Sequence, residues 1–136
     1  MTMTRTIAFV CLHGSAKSLI AAEYCGRLAV ERGLDLRATS AGTEPDPDIP
    51  SKVIEGLLRG GIDVRGRRPR HLTAEELARA SHVVSFGCDL GQMAPPGLTI
   101  ERWDDVPAVS ADFDAARDAI VARLQRLLSE WGTRPR

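Results

Sequence analysis

A junction near the start of the chain constrains the fold most. Ile7-Ala8-Phe9-Val10 is apolar at every position, and it passes through Cys11-Leu12-His13-Gly14-Ser15-Ala16-Lys17-Ser18 into a stretch with a helical repeat. A strand without polar alternation must be covered on both faces, the condition of a strand inside a parallel sheet. Strand, small-residue loop and helix in that order aim backbone N–H groups inward and set a helix N-terminus against an anion. Cys11 opens the loop and Lys17 closes it. At the floor of such a loop the N–H groups and the helix dipole favour a thiolate. A nucleophile, an anion cradle and a cation in one short loop point to attack on a tetrahedral oxyanion such as phosphate. Taken alone, Cys11 reads as an unreactive strand-end thiol; the ordered context argues against that.

The rest of the chain alternates between the two periods. Ile20, Ala21, Tyr24, Cys25, Leu28 and Ala29 draw one apolar stripe on a helix over about 18–32, which Gly33 stops, so Cys25 reads as core. Residues 34–40 form a second strand candidate and 41–48 a turn-rich loop. Pro50 opens a helix with Val53, Ile54, Leu57 and Leu58 inward, ended by Gly60-Gly61. Thr73-Ala74-Glu75-Glu76 is a capping box, with Leu72 and Leu77 placed as its hydrophobic staple, for a short helix to about Ala80. A third strand over 82–86 ends at Gly87-Cys88-Asp89, a fourth spans 98–101, and a last helix begins near Asp112. Such alternation argues for an α/β fold, a parallel sheet with helices on both faces. Ligands then bind beyond the carboxyl ends of the strands. The loops after the first, third and fourth strands bring Cys11 and Lys17, Cys88, and Asp104 with Asp105 to that edge.

Composition narrows the partners. The 136 residues fit one domain, 1–136, and carry no formal net charge, which gives no reason to expect nucleic acid or an anionic membrane. No apolar run reaches membrane-spanning length and the first residues hold no signal-peptide core, so a cytoplasmic location is expected. Three cysteines without framework spacing predict reduced thiols, and the lack of a Cys/His cluster predicts no zinc. The run Arg65-Gly66-Arg67-Arg68-Pro69-Arg70 reads as a solvated loop or as a steering patch for an anionic substrate.

In order, these pieces resemble the low-molecular-weight protein tyrosine phosphatase superfamily, which includes the thiol-dependent arsenate reductases. The resemblance rests on the Cys11 to Lys17-Ser18 loop, Thr39-Ser40-Ala41-Gly42-Thr43, Gly61-Ile62-Asp63, Leu72-Thr73, Phe86-Gly87-Cys88, and Trp103-Asp104-Asp105-Val106-Pro107-Ala108. His13 and Phe86-Gly87-Cys88 are similar to the arsenate reductase side. The resemblance implies a three-layer α/β/α, flavodoxin-like fold with a four-stranded parallel sheet in the order 2-1-3-4. The chain departs from the family at three points. Lys17 replaces an Arg, so the two-pronged guanidinium grip on an oxyanion becomes a point charge. Gly14 replaces a bracing Asn, which predicts a less pre-organised loop. Val106 stands between Asp105 and Pro107, where the family places Asp directly before Pro. Trp103 is the candidate aromatic wall.

Three functions are implied. In a phosphatase, backbone groups of Leu12, His13, Gly14, Ser15 and Ala16 hold phosphate and Lys17 neutralises it. Cys11 forms a phosphocysteine, Ser18 donates to its sulfur, and Asp105 (Asp104 as alternative) is the general acid. No cofactor is needed, and the substrate is a phosphate ester or phosphoprotein. In an arsenate reductase, Cys88 or an external thiol completes the reaction as redox partner of Cys11, with a small thiol or a thioredoxin-type reductant as the implied partner. In the third reading the loop binds an oxyanion or a partner without turnover.

Overall fold

Strand β1 (Arg5–Cys11) is the hub of the sheet. It pairs in parallel with β2 (Leu36–Gly42) on one side and β3 (His82–Ser85) on the other. Strand β3 pairs with β4 (Ile100–Arg102), which gives the order β2-β1-β3-β4. The computed structural model describes residues 4–88, 90 and 93–133, so Asp89 at the expected end of the third strand lies outside the described residues. Helices α1 (Lys17–Glu31), α2 (Ser51–Arg59), α3 (Ala74–Arg79) and α4 (Phe113–Thr133) complete the expected α/β/α architecture.

The pleat of β1 explains why its run is apolar throughout. Ile7, Phe9 and Cys11 face the larger core, built with α1, α2 and α4. Ala8 and Val10 face the smaller one, with Leu72, Leu77, Val83, Cys88 and Leu90. Successive side chains of a strand point to opposite faces, so β1 needs an apolar residue at every position. Cys11 and Cys88 accordingly belong to cores on opposite faces of the sheet.

Element ends shift by small amounts for identifiable reasons. Strand β2 starts at Leu36 rather than 34 because Leu34 still belongs to the helix stop. Gly33 takes φ 67° and Leu34 N–H donates to Ala29 O at 2.9 Å. The strand then runs on to Gly42, opposite Cys11. Strand β4 is displaced toward Arg102 relative to the expected 98–101. Helix α3 is too short to hold itself. Thr73 Oγ1 caps it by accepting from Glu76 N–H at 3.2 Å, and Leu72 and Leu77 are both fully buried. Burial of each leucine contributes about 1.5–3 kcal/mol. The reciprocal half of the capping box is not made, because the Glu76 carboxylate pairs with Arg70. Asp112 caps α4, its carboxylate accepting from Ala115 N–H at 3.1 Å. Among the described residues no helix is long and apolar enough to cross a membrane.

Candidate active site

Cys11 ends β1 with its sulfur beneath the loop. Its Sγ accepts from Gly14 N–H at 3.2 Å and lies 3.0 Å from Ser18 Oγ. Ser18 is fully buried, so its hydroxyl is committed to the sulfur. Helix α1 begins at Lys17 without a side-chain cap, as an anion site requires. Among the described residues, the backbone N–H groups of Leu12, His13, Ser15, Ala16 and Lys17 meet no acceptor. Five orphan donors in one turn form a concavity for a tetrahedral anion.

The loop is braced, contrary to the expectation drawn from Gly14. Gly14 takes φ 64°, and a Cβ there would stand 2.6 Å from Gly42 N; a Cβ on Gly42 would stand 2.5 Å from Gly14 N. Both positions must be glycine so that two backbones can touch. The segment after β2 then zips to the loop: Thr43 N–H donates to Cys11 O (3.3 Å), Glu44 N–H to Leu12 O (2.8 Å) and Asp46 N–H to His13 O (3.1 Å). Backbone bonds thus supply the order expected of an Asn side chain.

Asp46 adds a side-chain network. Its Oδ2 accepts from the buried Ser15 Oγ at 3.0 Å, and its Oδ1 lies 3.2 Å from His13 Nδ1. His13 Nδ1 also lies 3.3 Å from Glu44 O. A carbonyl only accepts, so Nδ1 carries the hydrogen and Nε2 is left without a partner among the described residues.

Above Cys11 opens a cleft of about 540 Å3. Leu12, His13, Ser15, Ala16 and Lys17 line it, whereas Gly14 faces a groove on the other side of the loop, shared with Arg67, Arg68 and Arg70. The Lys17 ammonium has no ion-pair partner among the described residues. Pro50, Val53, Phe86 and Val109 make apolar walls, and Asp46 is the carboxylate in the lining. Lys52, at the start of α2, donates to Ser110 O at 3.2 Å and frames the mouth. The basic run points elsewhere. Arg65 grips Asp63, whose carboxyl is held at about 2 by that guanidinium, while Arg67 pairs with Glu23 and Arg70 with Glu76.

The loop after β4 departs from the sequence reading. Asp105, the expected acid, is exposed and paired with Arg123 of α4. Asp104 pairs with Arg102 at 3.1 Å. Neither carboxylate lines the cleft. Val106, directly before Pro107, is 5% exposed and packed in the core. Trp103 is core rather than wall: it is 1% exposed, with its ring 6.0 Å from Phe9 and 5.6 Å from Phe86, edge to face with the latter. Phe86 takes the wall position instead.

The three thiols are all free and all buried, yet differently placed. Cys25 sits in the larger core, and burial pushes it up to about 12. Cys88 lines a second cleft that shares Leu12 and Phe86 with the first. Its Sγ lies 3.4 Å from Ser85 Oγ and 3.7 Å from Val10 O. Burial raises its pKa, opposed by the Ser85 hydroxyl and reinforced by the charge of the nearby Cys11 sulfur.

Sequence reasoning missed Asp46, Lys52, Phe86 and Val109. A signal for Asp46 existed: it follows β2, the immediate neighbour of β1, so its loop must lie beside Cys11.

Known proteins share this fold. A putative arsenate reductase of Halobacterium salinarum is 24% identical over 133 residues, covering 94% of each chain. The low-molecular-weight protein tyrosine phosphatase of T. tengcongensis superposes with a TM-score of 0.83 at 20% identity, covering 93% of this chain and 99% of that one. The thioredoxin-dependent arsenate reductase of Corynebacterium glutamicum superposes with a TM-score of 0.77 at 23% identity. That match covers 95% of this chain, which spans only 62% of the Corynebacterium protein. Such low identities establish the fold. Residues 6–95, from the hub strand through the Cys88 loop, match the family model of the low molecular weight phosphotyrosine protein phosphatases, and the chain belongs to that family.

Proposed function

We propose that the chain hydrolyses phosphate monoesters through a phosphocysteine on Cys11. One observation carries this reading: the Cys11 sulfur, held by Gly14 N–H and Ser18 Oγ, lies at the floor of a cleft of about 540 Å3 with apolar walls. A bare oxyanion fills only the end of such a space, whereas an ester with an organic leaving group fills a pocket of this class. The orphan N–H groups of the Leu12 to Lys17 loop hold the phosphoryl oxygens, and Lys17 neutralises them. The Cys11 thiolate displaces the leaving oxygen, and Ser18 stabilises the sulfur when it departs from phosphorus. The cradle supplies the electrostatics, and the cytoplasm keeps the three thiols reduced. Turnover of para-nitrophenyl phosphate from pH 5 to 8 tests the reading. Activity lost in Cys11→Ser supports it; activity equal in both proteins overturns it.

A second reading is favoured by the position of Cys88, in a cleft that adjoins the first and within electrostatic reach of the Cys11 sulfur. Cys11 would join arsenic of arsenate with loss of water. The Cys88 thiolate would then attack the Cys11 sulfur, forming the disulfide and leaving the electron pair on arsenite, and a dithiol reductant would restore both thiols. Arsenate-dependent disulfide formation that disappears in Cys88→Ser supports this reading. Phosphate binding without turnover of esters or arsenate favours a non-catalytic oxyanion-binding protein.

A further inference from the structure

An ester with a poor leaving group needs a proton for the departing oxygen. Asp104 and Asp105 are turned to arginines outside the cleft, and the position before Pro107 holds the buried Val106. His13 and Asp46 line the cleft beside Cys11. Asp46 Oδ2 accepts from Ser15 Oγ, and its Oδ1 lies 3.2 Å from His13 Nδ1, so the carboxylate is placed to orient the ring rather than to give a proton. The Glu44 carbonyl fixes the hydrogen on Nδ1. That leaves Nε2 as the nitrogen with no hydrogen-bond partner among the described residues. A carboxylate beside one imidazole nitrogen, with the other nitrogen left unpartnered on a cleft-lining ring, resembles the acid–base pairing of catalytic triads.

We propose that His13 Nε2 is the proton donor of this site, with Asp46 as its positioning residue; the proposal rests on the hydrolytic reading. In the first step the Cys11 sulfur forms a bond to phosphorus and the P–O bond to the leaving group breaks. The imidazolium Nε2–H passes its proton to that oxygen, releasing a neutral alcohol. In the second step neutral Nε2 takes a proton from water as the water oxygen bonds to phosphorus. The S–P bond breaks, phosphate leaves and the thiolate returns. Water is the only co-reactant.

Leaving-group dependence tests the proposal. Dinitrophenolate departs without a proton and phenolate does not, so kcat/KM is compared for 2,4-dinitrophenyl phosphate and phenyl phosphate. His13→Asn keeps an amide N–H near the position of Nδ1 for the Glu44 carbonyl but has no Nε2. Its side chain is 56% exposed in the native protein, so the core is untouched. The expected result is a loss of about a hundredfold on phenyl phosphate and less than about threefold on the dinitrophenyl ester. Asp46→Asn shows the same selectivity with a smaller loss, about tenfold. Equal losses on both esters in a His13→Asn protein that unfolds cooperatively overturn the proposal. So does full turnover of phenyl phosphate by that variant, or a selective loss in Asp105→Asn. Failure of the hydrolytic reading looks different: the dinitrophenyl ester, which needs no proton donor, then shows no Cys11-dependent turnover in the native protein, and both readings fall.

Discussion

Two loops flank Cys11 at the carboxyl edge of the sheet, one after β2 and one after β4, and they face it with opposite chemistry. The β2 loop is stitched to the Cys11 loop by three backbone hydrogen bonds and turns Asp46 inward. The β4 loop turns its carboxylates outward, to Arg102 and Arg123, and offers the cleft Ala108 and Val109. Strand order accounts for the difference. Strand β2 is hydrogen-bonded to β1, whereas β3 stands between β1 and β4. At about 4.8 Å per strand, polar side chains from β2 reach the nucleophile and those from β4 start roughly twice as far away. Polar function comes from the near loop, and the far loop contributes packing and wall.

The largest effect expected on this contrast is structural. Trp103→Ala should cost about 3–5 kcal/mol in urea unfolding, because the ring is core. A loss below about 1 kcal/mol would make Trp103 part of the cleft and erase the distinction. Next comes the paired comparison of Asp46→Ala with Asp105→Ala. In kcat/KM for phenyl phosphate, a loss of about thirtyfold is expected from the first and less than about threefold from the second; the reverse order would place the chemistry on the far loop. Lys17→Arg should raise para-nitrophenyl phosphate turnover at least about tenfold, since the backbone brace already presents a formed cradle to the guanidinium fork. An unchanged rate would mean the brace holds another geometry. Smallest is Arg123→Ala. Arg123 pairs with an exposed Asp105 and lies over the Trp103 ring with its guanidinium carbon 5.7 Å from the centroid. Exposed pairs contribute about 0.2–1 kcal/mol, and a loss of that size in the unfolding free energy is expected. A larger one would show that the clip, not the buried Trp103, fixes the far loop.

Features set by local spacing were legible in the sequence. The apolar β1 run, the stripe of α1, the Gly33 stop, the Thr73 cap and the Cys11–Lys17 loop all depend on residues near one another, and the structure has them within a residue or two. The direction of a loop side chain depends on distant partners. Nothing in Trp103-Asp104-Asp105 announces Arg123, which reaches Asp105 only because α4 packs back across the sheet. Asp46 was hidden differently. Its segment, Glu44-Pro45-Asp46-Pro47, reads as turn punctuation, and its place beside Cys11 follows only once the strand order puts β2 next to β1.

The contact between Gly14 and Gly42 makes the site's departures from its family unequal in reversibility. Lys17 stands at a helix start facing open space, so a single codon change can restore arginine without disturbing a neighbour. An asparagine at position 14 would drive its Cβ into the backbone of β2, and no substitution at position 42 makes room, because the obstructing atoms are main chain. One departure is open to drift in both directions. The other is locked in by the path of the chain, so lineages built on this backbone can regain the guanidinium but not the amide.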